Sequence, residues 1–512
     1  MSSSSTAEGT SERASADVIV VGGGGAALAA AAEVARLGCR VLVIEKNPVL
    51  GGSTRLSTGL VMGVGSSLQA SAGVADSPDV YDAEAAEIIR TQGLTDDPAM
   101  RRLLTENSAE TVNFLASIGV NFFGPLAFPP FTVKRFHQAL PDGRTLVRCL
   151  EAHCRSLGVE FRLQAQARQL LTHNGRVTAV EVWSRDGGTQ RLFAGTAVIL
   201  ATGDFSANRE LRSRYGERDL ESLEAYNETA TGDGHSMALE IGATIESMGS
   251  CGIPLGTIAL PHAGRKREPS RLPTHGLITR LMSWALRWLP KQALRLFVLR
   301  RALTDLPLEP TVFKEGAILV NRAGKRFVDE LRMTAADVAS QPGGEAFVVF
   351  DNKIARLFNS SPYYLSRVPG AARAYVDDYR TVRGDAFYEA LTIAELAARA
   401  GIAGDALNAA VTSRNLALSR ADKALTNPPF FALGPFWACV RHIPIGVEVN
   451  TGLQVLRKTG VPIPGLYAAG DVGHGGFVEI GHGHALSWAF TTGRLAGRYA
   501  ARERGASGDQ PS

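Results

Sequence analysis

The sequence predicts an α/β protein whose main parallel sheet is assembled from distant parts of the chain, with an α+β cap inserted between them. Three observations predict it. The short apolar run Asp17-Val-Ile-Val-Val21 meets a Gly-rich turn and then an Ala-rich stretch. Two more apolar runs ending in Gly-containing turns come much later, at 196–203 and 465–471. The chain between about Cys251 and Cys439 has helical stretches and Pro-rich loops but no second copy of the first pattern.

Each element follows from residue chemistry. A short, continuous, β-branched run is a strand buried on both faces of a parallel sheet. Ala26 to Leu37 reads as a helix closed by Gly38, and Arg40 to Ile44 as the next strand. Thr196–Leu200 and the run from Gly465 read as further strands of the same sheet. Between Val159 and Phe193, alternating residues with the turns Asn174-Gly175 and Asp186-Gly187-Gly188 predict a β-meander. The expected division is a tail at 1–16, a first part of the main domain at 17–250, a cap at 251–437, the second part at 438–505, and a tail at 506–512.

Composition narrows the function classes. The 512 residues are 45% hydrophobic and 20% charged, with a net charge of +4, so there is no general case for nucleic-acid binding. Five scattered cysteines without a C-x-x-C do not read as a disulfide framework, and they give no support for a haem attachment site or an iron–sulfur cluster. Cys149 and Cys154 read as packing residues on one helix. The Ser- and Ala-rich start lacks the apolar core of a signal peptide. No apolar run reaches the length of about 18 residues that a membrane span needs. The expected location is cytoplasmic.

The Gly-rich turn carries the first chemistry. Gly22-Gly-Gly24-Gly25-Ala26-Ala27 fits G-x-G-x-x-G/A: one Gly for the turn, one for close approach to a pyrophosphate, and a small residue for helix–sheet packing. The helix N-terminus offers N–H groups and partial positive charge to phosphates. Glu45 ends the second strand, where a carboxylate accepts hydrogen bonds from ribose hydroxyls, and Lys46 follows it. Together these point to a dinucleotide.

Further motifs resemble the other cofactor contacts of two-domain flavoproteins. They are Gly51-Gly52-Ser53-Thr54, then Ser57-Thr58-Gly59, Ala201-Thr202-Gly203, and the run ending in Gly470-Asp471. Ala167, Asp233 and the helix start Ala485-Leu486 join this set. With Thr231-Gly-Asp-Gly234, Gly324-Lys-Arg-Phe-Val-Asp-Glu330 and Thr492-Gly-Arg-Leu-Ala-Gly497, the chain from Asp17 to about Ala500 resembles the fumarate reductase/succinate dehydrogenase flavoprotein superfamily. That superfamily includes 3-ketosteroid dehydrogenases. The resemblance implies a Rossmann-like FAD domain with a mobile cap. Thr54 stands where succinate dehydrogenases attach FAD through a His, so the FAD is expected to be noncovalent.

The catalytic positions depart from the family pattern. Thr334 stands where fumarate reductases carry an Arg and ketosteroid dehydrogenases a Tyr. Arg441 stands at a fumarate reductase His, with His442 beside it. Ile480 replaces a carboxylate-binding Arg, and a dicarboxylate needs charge-assisted contacts that Ile480 does not offer. By spacing, Glu479 falls on a Tyr of ketosteroid dehydrogenases. The candidate acid/base groups are Glu479, His482 and His484, with Arg441 as an anion clamp. Arg332 is a substitute for the missing Arg, and His442 reads as structural.

The chemistry is expected to lie nearer ketosteroid dehydrogenases than true fumarate reductases. The expected reaction introduces a C=C bond next to a carbonyl in an apolar cyclic ketone or steroid-like molecule. The alternatives are the reverse, an enoate or enone reductase, and a flavin-binding module without such turnover. The expected partners are an apolar small molecule and an external electron acceptor or donor, with no nucleic acid. The basic, aromatic segment 277–303, split by Pro290, reads either as a cap helix packed on the protein or as a peripheral contact with the inner face of a membrane. The oligomeric state stays open.

Overall fold

The apolar run Ala16–Val21 forms the centre of the main sheet, with Val41–Ile44 parallel on one side and the end of Gly188–Leu200 parallel on the other. The architecture comes from a computed structural model, which describes residues 15–128, 130–184, 188–216, 220–245, 256–260, 272–288, 308–368, 372–417 and 423–507. The sheet order is Gln454–Leu456, Pro462–Ala468, Gly188–Leu200, Ala16–Val21, Val41–Ile44, Glu160–Arg162. Strands separated by more than four hundred residues therefore lie in one sheet, as the discontinuous reading expected. Buried β-branched residues on both faces make this possible.

One detail differs from the sequence reading. Glu160–Arg162 leaves the meander and pairs in parallel with Val41–Ile44 at the sheet edge. The meander itself is Ala165–His173, Arg176–Ser184 and the first part of Gly188–Leu200. Asn174 and Gly175 both take positive φ, 50° and 77°, and make its two-residue turn. The other expected turn, Asp186-Gly187, lies outside the described residues.

The helix Gly25–Arg36 packs along the C-terminal helix His484–Ser507 at a distance only glycine allows. A Cβ on Gly493 would sit 2.3 Å from the Ala26 carbonyl oxygen, and one on Gly497 would sit 2.5 Å from that of Ala30. The Thr492–Gly497 motif is thus a helix-packing device. A buried ion cluster locks the same pair. Glu33 meets Arg494 at 2.7 Å and Arg498 at 3.0 Å. Burial alone would raise the Glu33 carboxyl, but these arginines with Arg36 hold it below its usual range.

The second sheet is built around Phe430–Val440. It pairs with Glu224–Ala225, Gly256–Ala259, Glu345–Asp351 and Phe387–Ala390, and Ile318–Asn321 lies beyond Glu345–Asp351. This sheet extends past the expected 251–437 limits at both ends: its long strand runs unbroken to Val440, and Glu224–Ala225 pairs with that last stretch. The chain leaves this sheet directly into Arg441 and His442. Cys149 and Cys154 are both buried on the helix Gly143–Ser156. Of segment 277–303, the helix Gly276–Trp288 is described and the rest, with Pro290, lies outside the described residues. Among the described residues no helix is long and apolar enough to cross a membrane.

Candidate active site

One groove at the C-terminal ends of the parallel strands gathers most of the sequence-predicted cofactor residues. Gly22, Gly24, Gly25, Ala26, Glu45, Lys46, Gly52, Ser53, Thr54, Ala167, Ala201, Thr202, Gly203, Asp233, Gly470 and Asp471 all line it. Ala27 and Gly51 are buried behind the wall. Ser57, Thr58 and Gly59 leave it along the next turn, where the Ser57 hydroxyl accepts the Gly59 N–H at 3.2 Å. Ala485 and Leu486 lie half-buried one turn before Ala489, which lines the groove.

The groove fits a dinucleotide in detail. Gly22 has a φ of +112°, and a Cβ there would lie 2.3 Å from the Ala201 carbonyl oxygen, so this turn admits no side chain. Gly24 caps the helix without any side-chain bond, and nothing but a carbonyl oxygen 4.0 Å away would meet a Cβ on it. A Cβ on Gly203 would meet nothing within 4 Å. Backbone and helix dipole are thus bared toward the groove, as phosphates require. The Thr202 hydroxyl is buried without a hydrogen-bond partner in the protein, a donor set aside for a ligand.

The walls are tied together by side chains. Thr54 accepts the Gly25 N–H at 3.1 Å. Lys46 pairs with Asp233 at 2.9 Å. Glu45 accepts the Asn47 N–H at 2.7 Å, and burial raises its carboxyl. Asn227, which no sequence motif marked, donates to Ser53 Oγ at 2.9 Å and lines the groove.

Beyond Asp471 lies a charged cluster. The segment Arg441–Gly446 is pinned on two sides. Ile443 N–H donates to Asp204 at 2.9 Å, and His235 donates to the Ile445 carbonyl at 3.0 Å. This fixes His442, whose Nε2 donates to Glu479 Oε2 at 2.9 Å. Burial opposes charge on His442, but Glu479, Asp471 and Asp204 outweigh it and push the ring up to about 10. Burial would raise Glu479, yet His442 holds it far below the usual carboxylate range. Asp471 is pushed up to about 7, chiefly by burial, with Asp204 and Glu479 adding to it. His474 lies 3.8 Å from Glu479, too far for a hydrogen bond.

These positions redistribute the candidate roles. Glu479 is 1% exposed and serves as the counter-ion of His442, not as an open base. His442, read from the sequence as structural, is the charged centre of the cluster. His484 is fully buried with both ring nitrogens engaged: Nδ1 donates to Gly481 O at 2.7 Å, and Nε2 accepts from Tyr81 at 2.7 Å. Burial lowers it to about 4, so it is a neutral core histidine. His482 is exposed on one side, its ring 5.4 Å from that of Phe128. Surrounding protein and the charges of Arg441 and His442 hold it below the usual imidazole range. Arg441 lies over the Tyr226 ring at 5.9 Å.

The other two positions are elsewhere. Thr334 caps the short helix Ala335–Ala339. Arg332 is 88% exposed beside Asp329 and takes no part in the cluster. Asp204, His474 and Asn227 went unseen in the sequence. Asp204 directly follows the Ala201–Gly203 motif, which was the available signal for it. Asn227 has none.

Comparison with known proteins agrees with the groove. A family model described as FAD binding domain matches residues 17–483. A probable fumarate reductase of Shewanella frigidimarina (strain NCIMB 400) is 27% identical over 486 residues, covering 91% of this chain and 71% of its own. A vinyl phenol reductase of Lactiplantibacillus plantarum is 26% identical over 498 residues, covering 92% and 93%. The open conformation of a flavocytochrome c3 fumarate reductase superposes with a TM-score of 0.71 at 26% identity, over 97% of this chain and 79% of that one. A 3-ketosteroid delta1-dehydrogenase from Sterolibacterium denitrificans shares the fold, with a TM-score of 0.63 at 19% identity over 95% and 99%. The chain belongs to the FAD binding domain family, within the fumarate reductase/succinate dehydrogenase flavoprotein superfamily, and is an FAD-dependent oxidoreductase.

Proposed function

We propose that the protein reduces a carbon–carbon double bond conjugated to a carbonyl or aromatic group in a mostly apolar substrate, with His442 as proton donor. FAD held in the groove would supply hydride for such a reduction once an external electron donor had reduced it, or would accept hydride in the reverse direction. The observation that carries the direction is the His442–Glu479 pair. It keeps an imidazolium charged at neutral pH, and an imidazolium gives protons rather than taking them. His442 keeps a quarter of its side chain exposed, enough to regain a proton from solvent. Glu479 remains ionised and holds the ring in place. Arg441, beside it, orients a carbonyl or anionic oxygen of the substrate.

The substrate class rests on what surrounds the cluster. Ile480 is 3% exposed and offers no polar contact. Thr334 Oγ1 is engaged with Asp337 in its helix cap. Phe128, its ring 5.9 Å from that of Phe136, gives His482 an aromatic neighbourhood. The vinyl phenol reductase, which aligns over nearly all of both chains, supports an alkene without two carboxylates. FAD would be noncovalent, since Thr54 is buried and bonded to Gly25.

One observation favours the reverse reading, desaturation of a saturated cyclic ketone. His482 is open on one side, and burial with the charges of Arg441 and His442 disfavours its protonated form, which suits a base. Anaerobic stopped-flow separates the two. We expect the reduced holoenzyme to be reoxidised by conjugated enones or vinyl arenes and barely by fumarate. Rapid reoxidation by fumarate would overturn the substrate class. Bleaching of oxidised enzyme by saturated ketones, with no alkene reoxidising the reduced form, would replace the reading with desaturation. Acid precipitation should release all of the flavin; flavin retained on the protein would contradict noncovalent binding.

A further inference from the structure

We propose that the helix Gly276–Trp288 is a docking surface for an anionic lipid bilayer. Its outward face carries Leu277, Leu281, Trp284 and Trp288, which are 76%, 65%, 62% and 74% exposed. Their spacing of four, three and four residues puts them in one stripe along the helix. Arg280, also exposed, flanks that stripe. The opposite face is seated on the protein: Thr279 is fully buried, and its hydroxyl accepts Asn121 Nδ2 at 2.7 Å. The helix is therefore held by one side while large apolar groups, two of them indoles, are held in water on the other. Tryptophan beside arginine on one face is the pattern that settles at the boundary of headgroups and acyl chains.

Charge complementarity selects the occupant. From Gly276 to Thr304 the sequence holds six basic residues, beginning with Arg280 and Arg287, and no acidic one. Anionic headgroups attract a sequence of that charge. A second copy of the chain meeting the same helix face about a two-fold axis would bring Arg280 toward its own like charge. The surface also connects to the candidate site. The helix packs on the strand Phe122–Leu126. Just beyond this strand is Phe128, whose ring faces His482. An apolar substrate partitioned into a bilayer would thus be concentrated within one strand of the charged cluster. The surface itself does not depend on which way the reaction runs.

The test is co-sedimentation of the full-length holoenzyme with vesicles of phosphatidylcholine alone and vesicles that also contain phosphatidylglycerol, at low salt. We expect roughly tenfold or greater enrichment on the anionic vesicles, lost at high salt, with a blue shift of tryptophan emission. The double variant Trp284→Ser/Trp288→Ser should lose the binding while keeping its FAD absorbance and melting temperature, because both side chains are exposed. Absence of binding to either vesicle, or equal binding to both, overturns the proposal. Light scattering that shows a dimer dissolved by the same double variant, with no vesicle binding, assigns the face to a second copy instead.

Discussion

The two ends of the site differ in what holds them. At the groove, recognition is made by backbone. Glycine at 22 allows the turn against Ala201, glycines at 24 and 203 leave backbone bare where a ligand must approach, and a helix start supplies the charge. At the cluster beyond Asp471, the arrangement is made by side chains: Asp204 and His235 pin the backbone at 443 and 445, and His442 meets Glu479. The first kind of site is local in sequence. The second exists only after the strand Phe430–Val440 has delivered Arg441 and His442 beside the loop before the last helix.

The largest expected effect separates the two ends. The double variant His442→Gln/Glu479→Gln removes both charges together, so it should fold and retain FAD. Its turnover should fall by about 10²–10⁴, the usual worth of a positioned proton donor. Steady-state kinetics with a measured flavin content check this. His442→Ala alone should cost about 3–5 kcal/mol of stability, because it strands a buried carboxylate. Chemical denaturation reads this loss, and Glu479→Gln added to it should return much of it.

At the groove, Gly22→Val should give protein without bound FAD, since its Cβ has no room beside Ala201 and its φ of +112° disfavours any side chain. The ratio of flavin to protein absorbance is the measurement. Gly493→Ala pushes a methyl toward the Ala26 carbonyl and should destabilise by about 1–3 kcal/mol, while FAD affinity changes less. The smallest effect is Arg332→Ala. This exposed side chain should change stability by no more than about 0.5 kcal/mol and leave turnover unaltered.

The same comparison explains what was legible in the sequence. The strands, the Gly turn and the flavin domain were readable because buried parallel strands and phosphate turns leave contiguous signatures. Even the wall residues Glu45, Lys46 and Asp233 follow motif positions. Glu479 and His484 were read from the sequence as candidate acid/base groups, but what each can do depends on partners far away. Tyr81 holds one nitrogen of His484, and His442 occupies Glu479. No local pattern encodes such pairings. Arg332 misled because proximity in sequence to Thr334 says nothing about which way a side chain leaves a turn.

Protonation sharpens the contrast further. His442 is raised in the folded protein, so its contribution to stability is full below its ordinary value of 6.5 and is lost as pH rises through about 10. Glu479 is depressed, so its contribution is full above 4.5 and is lost as pH falls toward its folded value. The pair therefore stabilises most between these ordinary values, near pH 4.5 to 6.5. For catalysis, reduction that draws its proton from His442 should be nearly level from neutral pH upward and decline only on approach to pH 10. A decline centred below the ordinary histidine value would point to His482 instead.

The most direct test of the central claim is single-turnover reoxidation of the anaerobically reduced holoenzyme by an accepted conjugated alkene, in wild type and in His442→Gln/Glu479→Gln. The account predicts at least about a hundredfold slower reoxidation in the double variant, with FAD content unchanged. Equal rates in the two proteins would contradict it.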